Sequence, residues 1–552
     1  MASFLDQMLA HNPHLKTYME RKKKETGQPP EFHEYLTGDM GKLPSPNILY
    51  PIGDPLFIHI CTVRGAKRYM VVEPALTDEG FAKSQKILEL ILRNASSEPV
   101  HETREEFERT IERLMKKTTV ASASSPASTT SKASPISSLK ERSLDRIPVT
   151  EDEYKNIEYH IKRDIMESSI IEPLLRDPYL EDIHAIGTTN INVVHKVFGM
   201  LMTNIQFRDA SQLEHFLRGM SERIGRPISD ARPIVDATLL DGSRINIIYS
   251  DDVSRLGPSF TIRKFAEKPP TMMQLIKWGT LSAEVAAYLW LCLENGMSIF
   301  ISGETASGKT TSLNAMLNFI NFNSKIYTAE DTPEVIVPQP VWQRLVTREV
   351  GPEEARVTLF DLIRAALRSR PNYIIIGEIR GVEGSVAFQA MQTGHAVIAT
   401  FHASSVQKMI QRFTGDPIRI PVKFMDNLNV ALFQQMVYVG GRMSRRVVSV
   451  EEILRYSEAK GGVLTRAVFK WDPVTDTHQF RGMYNSHILE NKIAEKLGYD
   501  DVREIYKELE YRAKIIQKMV DNGILDYDSV KSVFAAYSDQ GFDGLPFKVK
   551  RE

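Results

Sequence analysis

Cysteine is nearly missing: Cys61 and Cys292 are the only two in 552 residues, and they stand far apart. That excludes a disulfide framework and a four-cysteine zinc site, and it suits a reducing compartment. A long hydrophobic run is missing too. No window reaches the roughly 18 consecutive apolar residues of a membrane span, and the best candidate is the short stretch Val285–Leu293. The opening MASFLDQMLAHNPHLK lacks the basic start and apolar core of a secretory signal. Net charge is −1, so no global basic field argues for nucleic acid or an anionic membrane. The guanine-reading tetrapeptide Asn-Lys-x-Asp is also missing. What these absences leave is a soluble, intracellular chain, long enough for about three or four domains.

What is present is organised around GETASGKTT, which is Gly303, Glu304, Thr305, Ala306, Ser307, Gly308, Lys309, Thr310 and Thr311. It fits the phosphate-binding loop G-x-x-x-x-G-K-[S/T]. The apolar run Met297–Ile301 before it reads as a buried strand, and Thr311–Ile320 after it as a helix with Leu313, Met316, Leu317 and Ile320 on one face. Glycines let successive backbone N–H groups point inward, and the helix N-terminus favours an anion. Lys309 would reach the β- and γ-phosphates of a nucleotide, and the Thr310 hydroxyl would complete a magnesium shell.

Along the chain, residues 1–45 are polar and helix-prone. The basic cluster Arg21–Lys24, flanked by Glu20 and Glu25, reads either as a solvated helix face or as a contact to anionic lipid headgroups. Strand-like runs follow at Ile48–Tyr50, Leu56–Ile60 and Tyr69–Val72, then amphipathic helix over Thr77–Lys117. Thr118–Ser138 is almost entirely Ser, Ala, Thr and Pro and reads as a flexible tether. Residues 1–117 are thereby expected to fold separately as an accessory domain, with a linker over 118–144. An α+β subdomain is expected over 145–270, including helices at Tyr154–Met166 and Ser211–Ile224 and a hairpin turning at Phe198-Gly199. Strands and helices alternate from Leu275, the signature of a parallel α/β sheet, giving a nucleotide-binding domain over 271–484 and a helical region over 485–552.

Ligands of such sheets bind beyond the carboxyl ends of the strands. Three motifs end strands of this kind. Thr328–Glu334, TAEDTPE, offers two or three carboxylates that can hold hydrated magnesium or polarise water, or else is simply an acidic turn. Ile374–Arg380, IIIGEIR, delivers Glu378 at the tip of a buried strand, with Gly377 where an aspartate is usual. The stretch from Thr393 to His402 places His395 and His402 at the two ends of a fourth strand, in roles left open.

GETASGKTT, TAEDTPE, IIIGEIRG and TGHAVIATFHA, in this order, make the chain resemble the secretion and type IV pilus ATPase superfamily. There they stand as Walker A, Asp-box, Walker B and His-box, and the glycine before the glutamate is the family's own pattern. The resemblance covers roughly residues 145–480. It implies an α/β, RecA-like P-loop domain in a homohexamer that hydrolyses ATP with magnesium between adjacent protomers. It also implies catalytic roles for Glu330, Glu378 and His402, and magnesium at Thr310 and Glu378. The expected arginine donors match Arg244 in DGSRINI and Arg263 in SFTIRKF, each of which could equally be an ion-paired strand residue. PNILYPIGDPLFIHI and YMVVEPAL look like the archaeal archaellum motor ATPases, and the bacterial tetracysteine insertion is absent. That likeness implies filament assembly and rotation through a polytopic membrane platform protein, other cytoplasmic motor proteins as partners, and a place at the inner face of the cell membrane. An archaeal pilus-assembly or secretion ATPase is the near alternative. A nucleic-acid translocase, the alternative of another class, is disfavoured by the neutral charge and the lack of a basic, aromatic-rich strand set.

Overall fold

The computed structural model describes residues 4–95, 98, 103–121, 146–239, 241–265, 268–348 and 352–550. They fall into two compact units, 1–265 and 266–552. The tether expected over 118–138 lies, from residue 122 onward, outside the described residues. Its first residues do not: Thr118 ends the helix Arg104–Thr118, and the next three form a strand.

The first unit contains strands β1 (Glu31–Phe32), β2 (Asn47–Pro51), β3 (Phe57–Val63), β4 (Ala66–Val72), β5 (Thr119–Ala121) and β6 (Ile147–Val149). They are followed by β7 (Leu180–Ile186), β8 (Asn192–His195), β9 (Gly199–Thr203), β10 (Ile234–Thr238), β11 (Arg244–Ile248) and β12 (Ser259–Arg263). Ten of these make one sheet in the order β1-β2-β3-β4-β9-β8-β7-β12-β11-β10, while β5 pairs with β6.

Residues 1–117 therefore do not form a body of their own, contrary to the expectation from the tether. Strand β4 pairs in parallel with β9, and Ile48, Ile58 and Tyr69 share one core with Leu174, Ile183 and Val193. A buried carboxylate pins the two segments: Tyr50 and Tyr69 both donate to Asp177 Oδ2 at 2.7 Å. The helices Asp78–Ala95 and Arg104–Thr118 bury Ile87, Ile111 and Leu114 against Ile157 and Ile161 of Glu151–Met166. Composition sets the Ser/Ala/Thr/Pro tract apart, but it carries no signal about whether its flanks rejoin. The basic cluster lies on the helix Pro13–Thr26, where Lys22 pairs with Glu25 at 2.7 Å.

The second unit contains β13 (Ile299–Gly303), β14 (Ile326–Glu330), β15 (Trp342–Val346), β16 (Tyr373–Ile379), β17 (Ala396–Phe401), β18 (Val430–Val439), β19 (Arg442–Ser457), β20 (Gly462–Asp472) and β21 (Thr477–Phe480). Their order is β15-β14-β16-β17-β13-β18-β19-β20-β21. Pairing is parallel from β15 to β18 and antiparallel beyond. Successive side chains of a strand point to opposite faces, and each face has its own core. Ile299, Ile301, Ile375 and Ile398 pack with apolar residues of Ala283–Glu294, Lys309–Met316 and Ile505–Asp521. Phe300, Ile374, Ile376 and Val397 pack with those of Leu359–Ser369, Glu383–Gln392 and Val406–Thr414. This is a three-layer α/β fold of the RecA-like P-loop kind. Helix starts follow local capping: Ser282 accepts from Val285 N, and Thr358 forms a reciprocal capping box with Asp361.

The C-terminal helices belong to this unit. Trp290, 1% exposed, stacks on Phe319 and meets Phe534 and Tyr537 of the helix Tyr527–Gln540 edge-on, with the Arg512 guanidinium 4.4 Å above its ring. Trp290→Ala is expected to destabilise the second unit by about 3–5 kcal/mol, read from the midpoint of denaturant unfolding. Truncation after residue 484 is expected to leave an insoluble chain. A soluble truncated chain with native near-ultraviolet dichroism would contradict this packing.

Candidate active site

Strand β13 lies between β17 and β18, and its carboxyl end opens into the phosphate-loop sequence. At Gly303 a Cβ would lie 2.3 Å from the carbonyl oxygen of Gln434, so the loop can leave the strand only where there is no side chain. At Gly308, φ is +93° and a Cβ would lie 3.0 Å from Gln434 Nε2 and 3.1 Å from Arg445 Cδ. Both constraints favour glycine. Ser307 Oγ and Lys309 Nζ donate to the Glu304 carbonyl oxygen at 2.8 and 3.0 Å. The helix Lys309–Met316 starts directly after Gly308, so its first N–H groups and the half-buried Thr310 border the loop.

The neighbouring strands bring the other motifs to the same end of the sheet. Glu330 closes β14 and is 1% exposed. Its Oε1 accepts from Glu334 N and Val335 N, both at 2.8 Å, while Oε2 has no hydrogen-bond partner among the described residues. Burial pushes its pKa up to about 7, against the lowering effect of those two N–H groups. Gly377 on β16 explains itself here: a Cβ would lie 3.2 Å from Glu330 Cγ.

Glu378 Oε2 accepts from Arg380 Nη2 at 2.6 Å, and its Oε1 lies 2.6 Å from His402 Nε2, an ion-pair contact without hydrogen-bond alignment. Burial works against its charge, but Arg380, His402 and Lys309 together outweigh it, and the carboxyl pKa is lowered. The His402 ring nitrogens stand 3.4 and 3.5 Å from Lys309 Nζ. Burial, then the Lys309 charge, lowers the His402 pKa, and burial likewise lowers that of Lys309. Lys309, His402, Glu378 and Arg380 thus form one chain of polar contacts, with Glu330 against Gly377 beside it.

The remaining residues of the sequence motifs lie as follows. His395 stands at the opposite end of β17 from His402 and contacts Thr393 at 3.1 Å, so the two histidines are not a pair at the site. Asp331 is exposed and accepts from Thr347 Oγ1 at 3.3 Å, and its charge, after that of Glu378, also acts on Arg380. Arg244 and Arg263 belong to the first unit, where they are direct cross-strand partners on β11 and β12.

Three residues not foreseen support the site. Gln434, 1% exposed on β18, accepts from Ser312 Oγ at 2.8 Å and underlies both loop glycines. Arg445 Nε donates to Ala306 O at 2.9 Å. Glu383 Oε1 accepts from Arg380 N and Gly381 N, both at 2.6 Å, fixing the turn after Glu378. Gln434 had a sequence signal, as a polar residue directly after the apolar run Val430–Phe433.

A family model described as Type II/IV secretion system protein matches residues 164–462, over half the chain. An uncharacterized protein of Methanocaldococcus jannaschii is 54% identical over 547 residues, 99% of this chain and 98% of its own length. The type IV secretion system protein VirB11 of Bartonella quintana is 29% identical over 221 residues, 34% of this chain and 62% of that one. Among solved structures, the pilus retraction motor PilT with bound ADP is 18% identical with a TM-score of 0.38, covering 67% of this chain and 94% of that one. The chain belongs to the type II/IV secretion system protein family.

The raised pKa of Glu330 has a consequence for stability. With a folded value of about 7 above an ordinary 4.5, its protonation stabilises the fold fully below about 4.5, and that contribution is lost as pH rises through about 7. Glu330→Gln, which carries no such charge, should gain on the natural chain by up to ~3 kcal/mol between pH 5 and 8. Thermal midpoints across that range test it; parallel curves for the two proteins would refute the assignment.

Proposed function

We propose that this family member is a magnesium-dependent ATPase, working as a homohexamer that drives assembly and rotation of an archaellum-type filament through a membrane platform protein. The observation that carries the ATPase reading is the gathering of Lys309, Glu378 and His402 at the mouth of a glycine-constrained phosphate loop, beside a buried carboxylate with one unsatisfied oxygen. The loop N–H groups and Lys309 bind the β- and γ-phosphates, Lys309 exchanging its contact with the Glu304 carbonyl for phosphate oxygens. Glu330 Oε2 takes the proton of the attacking water. A pKa near neutrality suits a general base, which must be unprotonated yet avid for a proton.

The donor set fits magnesium: a hydroxyl, Thr310, directly follows Lys309, and Glu378 is held anionic. This ion needs only one or two protein oxygens besides phosphate and water. Thr310 and Glu378 would hold it, the latter partly through water, and it would neutralise developing phosphate charge. Arg244 and Arg263 supply positive charge to the γ-phosphate of an adjacent protomer's nucleotide, so the site is completed only in the ring.

A pilus-assembly or secretion role has the same chemistry and differs only in the machine served; the name of the VirB11 relative favours that second reading. Lys309→Ala is expected to abolish phosphate release while the dichroism spectrum stays native. Glu330→Gln should still bind ATP but turn over at least ~100-fold more slowly. Mixing Lys309→Ala with Arg263→Ala protomers should restore part of the activity if the site is composite, and no recovery would refute the shared site. In cells, a point variant that carries filaments but swims poorly supports rotation, whereas loss of surface pili with normal swimming supports the pilus role.

A further inference from the structure

Strands β18 and β19 form a hairpin that turns at Gly440 and Gly441, with φ of +54° and +77° as a tight two-residue turn requires. Alternate positions face opposite sides. One face carries Gln434, Met436 and Tyr438 on β18 and, paired with them, Val447, Arg445 and Met443 on β19. The inner end of this face is built into the phosphate loop, through Gln434 with Ser312 and Arg445 with Ala306. The outer end is bare: Met436 is 44%, Met443 63% and Tyr438 79% exposed. On the opposite face Arg446 is buried in a double contact to Asp476 at 2.8 Å, and Gln435, Val437 and Val439 are half-buried.

Singly scattered apolar residues on a surface need no explanation, but a contiguous group does. Here three large side chains stand in water in a row that begins at the phosphate loop. At about 3.4 Å of rise per residue, Met436 lies about 7 Å and Tyr438 about 14 Å outward from Gln434. The sugar and base of a nucleotide must extend somewhere beyond loop-bound phosphates, and this row is a flat apolar surface continuous with the loop.

We propose that the row is the seat of the nucleotide's purine base. The Tyr438 ring stacks on the base, the Met436 and Met443 thioethers flank it, and the Arg445 guanidinium lies between base and phosphates. This rests on the ATPase reading and adds which side chains hold the base and by what chemistry. Recognition by stacking favours the larger purine face over a pyrimidine.

The test compares ATP, CTP and inorganic tripolyphosphate, which has no base, by calorimetry on the full chain. Tyr438→Ala should weaken ATP binding about tenfold and leave tripolyphosphate binding where it was; Tyr438→Phe should keep ATP affinity. Met436→Ala combined with Met443→Ala should act in the same direction as Tyr438→Ala. All of these positions are exposed, so folding is not at stake. Natural protein that binds tripolyphosphate as tightly as ATP, or Tyr438→Ala with unchanged ATP affinity, would overturn the base seat while sparing the ATPase reading. A Tyr438→Ala chain altered only in its oligomeric state would do the same and make the row a contact between copies. Natural protein that binds none of the three ligands overturns both proposals.

Discussion

Strands β14 and β16 run side by side in parallel, and where they end a single Cβ at position 377 would press on the Glu330 side chain at 3.2 Å. This lack of room has two effects. Glu330 is sealed from water on that side, so its charge is costly and its proton is held to near neutrality. Glu378, the next residue along β16, is delivered toward Lys309 and His402 instead of competing for the same pocket. Two glutamates in one site then carry opposite shifts, raised for one and lowered for the other. Environments that push two carboxylates apart in this way divide proton-accepting from charge-holding work.

The loop glycines obey the same logic of close approach. Gly303 and Gly308 both face Gln434, one against its backbone oxygen and the other against its side-chain amide. The phosphate loop is therefore shaped from below by a strand 130 or so residues further on in the chain as much as by its own sequence, which the tightness of folded interiors makes unforgiving.

Much of the site was legible in the sequence because its polar residues stand at the tips of apolar runs. A glutamate after Ile374–Ile376, or after Ile326–Ala329, can be placed at a strand end with no more than the period of a buried strand. His402 was legible for the same reason, while the role of His395 stayed open: periodicity places a residue at an end of a strand without saying which end bears the site. Support from Arg445 was not legible, since it depends on the register of a hairpin with a bulge between Phe433 and Gln434. Edge strand β15 escaped notice because Trp342–Val346 is half-exposed and shows no clean alternation. In the first unit, each strand-forming run could be read alone, but the parallel pairing of β4 with β9 joins residues about 130 positions apart, and no local pattern encodes such a partner.

The pairing of β4 with β9 and the double hydrogen bond to Asp177 have one more implication. The segments before and after residues 122–145 hold each other through backbone ladders, a buried carboxylate and a common core, and not through the peptide bonds that connect them. Protease cleavage within the Ser/Ala/Thr/Pro tract would then yield a nicked molecule whose two fragments stay together through purification. In that sense the first unit is a split protein whose halves happen to be synthesised as one chain.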